Sequence, residues 1–268
     1  MRINNNITAI NSHRQYGMNN NAIGKNVEKL SSGFRVNRAG DDAAGLAISE
    51  KMRTQIRGLN MASKNSQDGI SLVQTAEGAM QTAHNIMQRM RELAVQSANG
   101  TNDETIDRAA LQLEFSQLDE EINQIASTVK FNDMTIFGTA GANMSFTIQS
   151  GANQGDITPI NVTNLAGPGG TIGTQSLAQA SITRMTNAIN TLSTSRATLG
   201  AIQNRLEFKI QNLDNSAENL QAAESRIRDV DMAKMMTEFT KNNILFQAST
   251  AMLAQANAIP QSVLQLVG

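Results

Sequence analysis

Apolar residues recur along this chain at helical spacings, and the spacing changes character only once, near the middle. Ile3, Ile7 and Ile10, then Ile23, Val27, Leu30 and Phe34, fall at the three- and four-residue steps of one helix face. Leu30 to Gly45 reads LSSGFRVNRAGDDAAG and breaks the pattern, so a linker or turn is expected there. Asp41 or Asp42 is a plausible N-cap for the helix that follows. Leu72, Ala76, Ala79, Ala83, Ile86, Met90 and Leu93 then step by alternating fours and threes, the heptad seam of knobs-into-holes packing. Asn99-Gly100 is expected to end this helix, because either residue takes a left-handed conformation cheaply. Leu111, Phe115, Leu118, Ile122, Ile125 and Val129 repeat the rule, predicting a helix over 105–129 that returns antiparallel.

Residues 131–176 differ. Eight of the 19 Gly and two of the three Pro lie between Gly138 and Gly173, and Met144, Phe146 and Ile148 alternate with polar residues. With Ile157, Ile160 and Val162 beyond a Gly-rich turn, this predicts one or two β-hairpins that must pack on the helices. A second arm follows. From Ile182 to Ile227 the four-three rule holds throughout, with only Arg196, Gln203 and Glu224 not apolar, predicting a helix of about 70 Å. The seam resumes at Met232, Phe239, Phe246 and Leu253, flanked by a row at Leu245, Met252, Ile259 and Leu266. Pro260 is expected to kink or end that helix. The fold class is therefore mainly α: a long antiparallel coiled-coil helical rod with a small β-hairpin insert and paired N- and C-terminal helices. The expected division is a discontinuous terminal coiled coil of 1–40 plus 232–268, and a helical rod of 41–231 carrying the hairpin region 131–176.

Composition narrows the function. Charged residues are 17% of the 268, and Asn plus Gln number 50, while aromatics are 3% with no Trp. Such a chain buries aliphatic side chains along thin seams rather than in an aromatic-rich core. The absence of Cys removes disulfides, thiolate metal sites and cysteine nucleophiles, and two His, at 13 and 84, argue against a multi-histidine metal site. Asp41-Asp42 project apart with no third ligand evident, so a cap or a bond to Arg35 or Arg38 is preferred to a cation site. Glu120-Glu121 face different sides of a helix, which defeats paired acid/base chemistry. No catalytic, metal or cofactor site is expected, and the chain is not expected to be an enzyme. Residues 1–60 carry a net +5, but the basic residues are not interleaved with stacking aromatics, so no nucleic-acid partner is expected.

The termini pose a physical problem. Ile244–Gly268 contains no charged residue, yet Gln247, Gln255, Asn257, Pro260, Gln261 and Gln265 interrupt it, which argues against a membrane span. The opening MRINNNITAI lacks the apolar run of a cleavable secretory signal. A pair of amphipathic terminal helices buries one face of each partner and leaves the other to be covered by neighbouring copies. Head-to-tail contacts that do not close then give a filament. Heptad arms around a small insert equally describe coiled-coil scaffold proteins, and periodicity alone does not separate the two.

The text of the chain does. Leu30–Met80, beginning LSSGFRVNRAGDDAAGLAISEKMRTQIRGLN, resembles the N-terminal signature of bacterial flagellins, and MQRMRELAVQSANGTND of Met87–Asp103 resembles their next block. Ala222–Gly268, including SRIRDVDMA, is similar to their C-terminal region. The resemblance covers about 1–138 and 175–268. It implies a self-polymerising flagellar filament subunit used for swimming, without the large outer domains of longer relatives. It also implies that the paired termini form an inner tube, with a polymerisation seam of Ile3, Ile7, Ile10, Ile23, Val27, Leu30, Met232, Phe239, Phe246 and Leu253. Gln88, Arg89, Leu93, Gln96 and Glu114 match positions contacted by flagellin-sensing Toll-like receptors of animal hosts. The implied partners are other copies of the chain, an export chaperone on Met232–Gly268, and hook-associated junction and cap proteins. The implied location is the extracellular flagellum, reached unfolded through the flagellar type III apparatus. The competing readings are a hook–filament junction protein, which shares the terminal-coil plan, and a secreted membrane-active helical protein using Ile244–Gly268.

Overall fold

A computed structural model describes residues 6–138 and 142–267. The architecture is mainly helical with small antiparallel hairpins, as the periodicity predicts. In order it runs α1 (Ile7–Ser32), α2 (Ala43–Ser97), α3 (Asp107–Thr128), β1 (Lys130–Phe131), β2 (Met134–Thr135), β3 (Met144–Gln149), β4 (Ile157–Val162), α4 (Gln175–Arg228) and α5 (Met232–Val267). The chain forms two compact units: Arg57–Ala217, and Met1–Ile56 with Glu218–Gly268.

The Arg57–Ala217 unit holds the core. Leu72, Ala76, Ala83, Met90 and Leu93 of the expected α2 seam are buried, with Ala79 and Ile86 partly buried at its margin. A second row, Val73, Met80, Met87 and Ala94, is buried too. Two adjacent rows are needed because the helix meets partners on two sides, so its apolar stripe is wider than a two-helix seam. On α4 the deepest row is Ala178, Met185, Leu192, Leu199, Leu206 and Leu213, spaced by sevens. The polar exceptions in that seam are partnered: Arg196 Nη2 lies 3.4 Å from Glu77 Oε1, and Gln203 Nε2 donates to Glu207 at 3.0 Å.

The turn after α2 does not use a left-handed cap. Neither Asn99 nor Gly100 has a positive φ. The free carbonyls at the helix end are served by side chains instead. Arg108, 4% exposed, donates to Ser97 O at 3.0 Å and Asn99 O at 3.2 Å, and Asn102 Nδ2 donates to Gln96 O at 2.6 Å. Glu104 pairs with the same guanidinium at 2.9 Å. The predicted hairpin forms as β3–β4, and a second, β1–β2, forms at Lys130–Thr135, where no strand was expected. β1–β2 turns through Asn132 and Asp133, both at positive φ, as a two-residue mirror-type turn requires. In β3–β4, Phe146 pairs with Ile160 and Met144 with Val162. The buried side of β4 is Thr158, Ile160 and Val162, whereas Ile157 faces outward. Thr158 is tolerated inside because Ser150 Oγ lies 2.7 Å away and Lys209 Nζ reaches Ser150 at 2.6 Å.

The other unit is thinner. Gly33 closes α1 at φ +75, where its N–H donates to Lys29 O at 2.9 Å. The linker beyond it clasps the α4–α5 junction. Phe34 bridges Asp229, Arg35 N donates to Arg228 O at 2.7 Å, and the Arg228 guanidinium sits 4.5 Å over the Phe34 ring. Asp42 is the N-cap of α2, accepting from Gly45 N at 2.8 Å. Asp41 accepts from Arg38 N and Asn37 N, and these bonds hold its carboxyl below the usual range.

Candidate assembly surface

The terminal helices α1 and α5 run antiparallel. Asn6 Nδ2 donates to Ala256 O at 2.7 Å, the Tyr16 and Phe246 rings lie 4.8 Å apart, and Asn19 Nδ2 donates to Ser249 Oγ at 2.8 Å. On α5, Phe239, Phe246 and Leu253 are half-buried as the seam predicts, but Met232 is exposed. On α1 the covered face is Ala9, Ser12, Tyr16, Asn19, Ile23, Asn26 and Leu30, a four-three row with polar members. Ile7 (63%) and Ile10 (62%) lie outside that row and are exposed, as is Val27. Ile3 lies outside the described residues. Ile7 and Ile10, on the side of α1 away from the covered row, mark a second surface, matched on α5 by the exposed Ile244, Leu245 and Met252 (62%). The α5 residues lie about 100–160° round the helix from Phe246 at 100° per residue, away from the face that meets α1.

Pro260 does not end α5, which continues to Val267. Proline lacks the N–H that would bond the carbonyl four residues earlier, and that carbonyl, on Ala256, is the one that accepts from Asn6. Asn6 Oδ1 meanwhile accepts from Ala9 N at 3.1 Å and caps α1. One asparagine thus serves both helix irregularities.

Four of the five residues implied in receptor contact are exposed: Gln88, Arg89, Gln96 and Glu114. Arg89 Nε donates to Glu114 Oε1 at 2.9 Å, and Arg89 Nη1 to Glu92 at 3.2 Å. The bond to Glu114 and then that to Glu92 hold the guanidinium further into its charged form. Leu93 is fully buried and belongs to the core, so it is not part of that exposed surface.

Among the described residues, no group of three or more His, Asp or Glu is placed to hold a metal, and no helix is long and apolar enough to cross a membrane. Two shallow cavities, of about 180 and 200 Å³, flank Asn164–Ala166 and are lined by apolar and neutral polar side chains. The described residues form a mainly helical fold with small antiparallel hairpins.

Comparison with known proteins gives the family. Residues 3–142 match the bacterial flagellin N-terminal helical region, and residues 182–267 the bacterial flagellin C-terminal helical region. The flagellin of Halalkalibacterium halodurans is 56% identical and that of Bacillus subtilis 50%, each over the whole of both chains. A flagellar filament 33 kDa core protein of Treponema phagedenis is 48% identical over the same extent. Among solved structures, Bacillus cereus flagellin is 30% identical, with a TM-score of 0.48, covering 60% of this chain and 94% of that one. The chain belongs to the bacterial flagellin family and is a structural subunit of the flagellar filament.

Proposed function

We propose that the terminal pair α1/α5 is the polymerising element of this filament subunit, and that it becomes fully ordered only when neighbouring copies cover its outer apolar surface. One observation carries this reading. The twelve largest fully buried side chains all lie between Met80 and Leu206, whereas in Met1–Ile56 with Glu218–Gly268 the buried apolar residues among those described are Val36 and Ala256. A helix pair without a core depends on outside contacts for its stability. Ile7, Ile10, Met18, Ile244, Leu245 and Met252 are already about half covered, so completing their burial contributes about 1 kcal/mol each. Together they contribute about 5–10 kcal/mol, within the range of the cost of association.

In this reading the functional boundary falls at 40/41 and 231/232, and the assembly residues are Ile7, Ile10, Ile23, Val27, Leu30, Met232, Phe239, Phe246 and Leu253 with Ile3. Met232–Gly268, uncharged from Ile244 onward, is the segment an export chaperone covers before assembly. Hook-associated junction and cap proteins meet the same terminal helices at the two ends of the filament. The subunit works outside the cell in the flagellum, after export through the flagellar type III route. Gln88, Arg89, Gln96 and Glu114 form the surface a host Toll-like receptor reads. The chain serves as a building block rather than an enzyme.

Amide hydrogen exchange on the full-length chain tests the central claim. In dilute monomer, α1 and α5 exchange quickly while the buried α2, α3 and α4 amides of Arg57–Ala217 are protected; in filaments seeded from the same preparation both sets are protected. Slow exchange of α1 and α5 in dilute monomer would defeat the proposal. Leu245→Asp with Met252→Asp is expected to leave Arg57–Ala217 folded and abolish filament growth.

A further inference from the structure

We propose that Asn99–Gly100, in the turn between α2 and α3, is a self-modifying site that converts without an enzyme to an aspartyl or isoaspartyl linkage. The Gly100 nitrogen bonds to Asn99 Cγ, the Cγ–Nδ2 bond breaks, and ammonia leaves carrying the Gly100 proton. Water then opens the five-membered imide at either carbonyl, adding hydroxyl to carbon and returning a proton to nitrogen. The balance is one amide and one water in, one carboxylate and one ammonium out, with no oxidant or reductant.

Three features of the turn permit the attack. Asn99–Gly100 is the one Asn-Gly pair in the chain. Both residues are exposed and lie beyond the helical ladder, and neither the Asn99 side-chain amide nor the Gly100 N–H is in a hydrogen bond. The position of a Gly100 Cβ is open, with Gln175 Nε2 as its nearest neighbour at 3.9 Å, so the glycine Cα that must move with the attacking nitrogen is uncrowded. The turn also supplies activation. Arg108 Nη2 donates to the Asn99 carbonyl at 3.2 Å, and a guanidinium beside this peptide stabilises the amide anion through which Gly100 attacks. Asp68–Gly69 provides an internal contrast. It has the residue types for the same imide but lies inside α2, and a Cβ at Gly69 meets Ile148 Cγ1 at 3.2 Å and Leu206 Cδ1 at 3.4 Å.

The product places a new carboxylate three residues past Gln96, at the C-terminal end of α2, where the exposed carbonyl ends disfavour an anion. It also stands beside Arg108, whose carboxylate partner is Glu104. Since no enzyme is required, the converted fraction rises with the age of the protein and changes the charge of an exposed surface on an intact subunit.

The experiment incubates full-length chain, folded and in denaturant, at neutral and mildly alkaline pH in water enriched in heavy oxygen, and maps peptides by mass. The peptide holding 99–100 is expected to take up one heavy oxygen, faster at higher pH. Its rate in the folded chain should lie within about threefold of the denatured rate, as for a site that needs no opening of the fold. The 68–69 peptide stays unlabelled while the chain is folded. Gly100→Ala, tolerated because the position has neither positive φ nor a close neighbour, should slow conversion by about tenfold or more with helicity unchanged. Folded conversion more than about tenfold slower than denatured would show that the turn protects the pair and would overturn the proposal. Label uptake undiminished in Gly100→Ala would overturn it equally.

Discussion

Asn6→Ala isolates what ties the two ends of the chain together. The substitution removes the N-cap of α1, where Asn6 Oδ1 accepts from Ala9 N at 3.1 Å, and the 2.7 Å donation from Asn6 Nδ2 to Ala256 O. Loss of an Asn cap costs about 1 kcal/mol. Loss of a hydrogen bond to a carbonyl that Pro260 cannot serve costs about 1 kcal/mol more. The sum of about 2 kcal/mol is an upper figure, because both bonds share one side chain and are not independent. If the helices order on assembly, that loss raises the critical concentration for seeded growth by up to about thirtyfold. A series of variants separates the two bonds. Asn6→Ser keeps a capping oxygen but is too short and lacks the amide donor. Asn6→Asp keeps the cap and places a carboxylate against the Ala256 carbonyl. Hydrogen exchange on filaments should show both variants retaining protection in the first turn of α1 while residues 256–264 exchange faster. Wild-type exchange across 256–264 in Asn6→Asp would refute the assignment, leaving the carbonyl before Pro260 indifferent to Asn6.

Phe246→Asp removes the ring that Tyr16 meets at 4.8 Å and puts a charge into the α1/α5 seam. It is expected to block filament growth while the urea midpoint of the α2–α4 core stays put, and unchanged filament yield would contradict it. Asp103 accepts from the Thr105 hydroxyl, then from the Thr105 and Ile106 amides, and these bonds lower its pKa. Its contribution to stability is present above the ordinary carboxylate range and is lost as pH falls through the depressed value. Asp103→Asn should therefore lower Tm at neutral pH, with the gap to wild type closing in strong acid; a gap that persists there refutes the reasoning. Gly78 has open space around its Cβ position, so Gly78→Ala should stabilise α2 by about 1 kcal/mol in thermal melts. Gly69→Leu, built against Ile148 and Leu206, should cost about 1–3 kcal/mol.

The elements were legible where one residue class dominates a face. The α2, α3 and α4 seams, the β3–β4 hairpin and the Asp42 cap follow from spacing and turn chemistry. Legibility failed where polar residues sit inside. On α1, Ser12, Asn19 and Asn26 interrupt the covered row, whereas the conspicuous isoleucines Ile7 and Ile10 are exposed. In β4, Thr158 occupies a buried position because Ser150 and Lys209 come to it from other elements, which no local pattern announces. Arg108 carries no signal either, since arginine is normally a surface residue and this one is buried by its bonds to the end of α2. Pro260 reads as a helix stop until the partner of the Ala256 carbonyl is known. The apolar groups at the ends of the chain were legible as a class, but not their division between those covered in the α1/α5 pair and those left exposed.

That division gives the polar seam a purpose that can be tested. Asn26 of α1 is buried, and its Nδ2 has no hydrogen-bond partner. Leaving such a group unsatisfied costs about 1–3 kcal/mol. A buried asparagine in a helix seam lowers stability but specifies register, and Asn19, one heptad earlier, does find a partner in Ser249. On the proposed function, a pair weakened in this way is expected to stay loose in the monomer and to settle in one alignment when neighbours supply the missing contacts. Asn26→Leu should remove the cost, raising protection of α1 and α5 in dilute monomer by about tenfold or more. It should also lower the yield of ordered filaments, because a smooth apolar seam no longer selects one register. If α1 and α5 exchange as fast in Asn26→Leu as in wild type, the buried amide carries no cost, and the looseness of the terminal helices must come from their missing core alone.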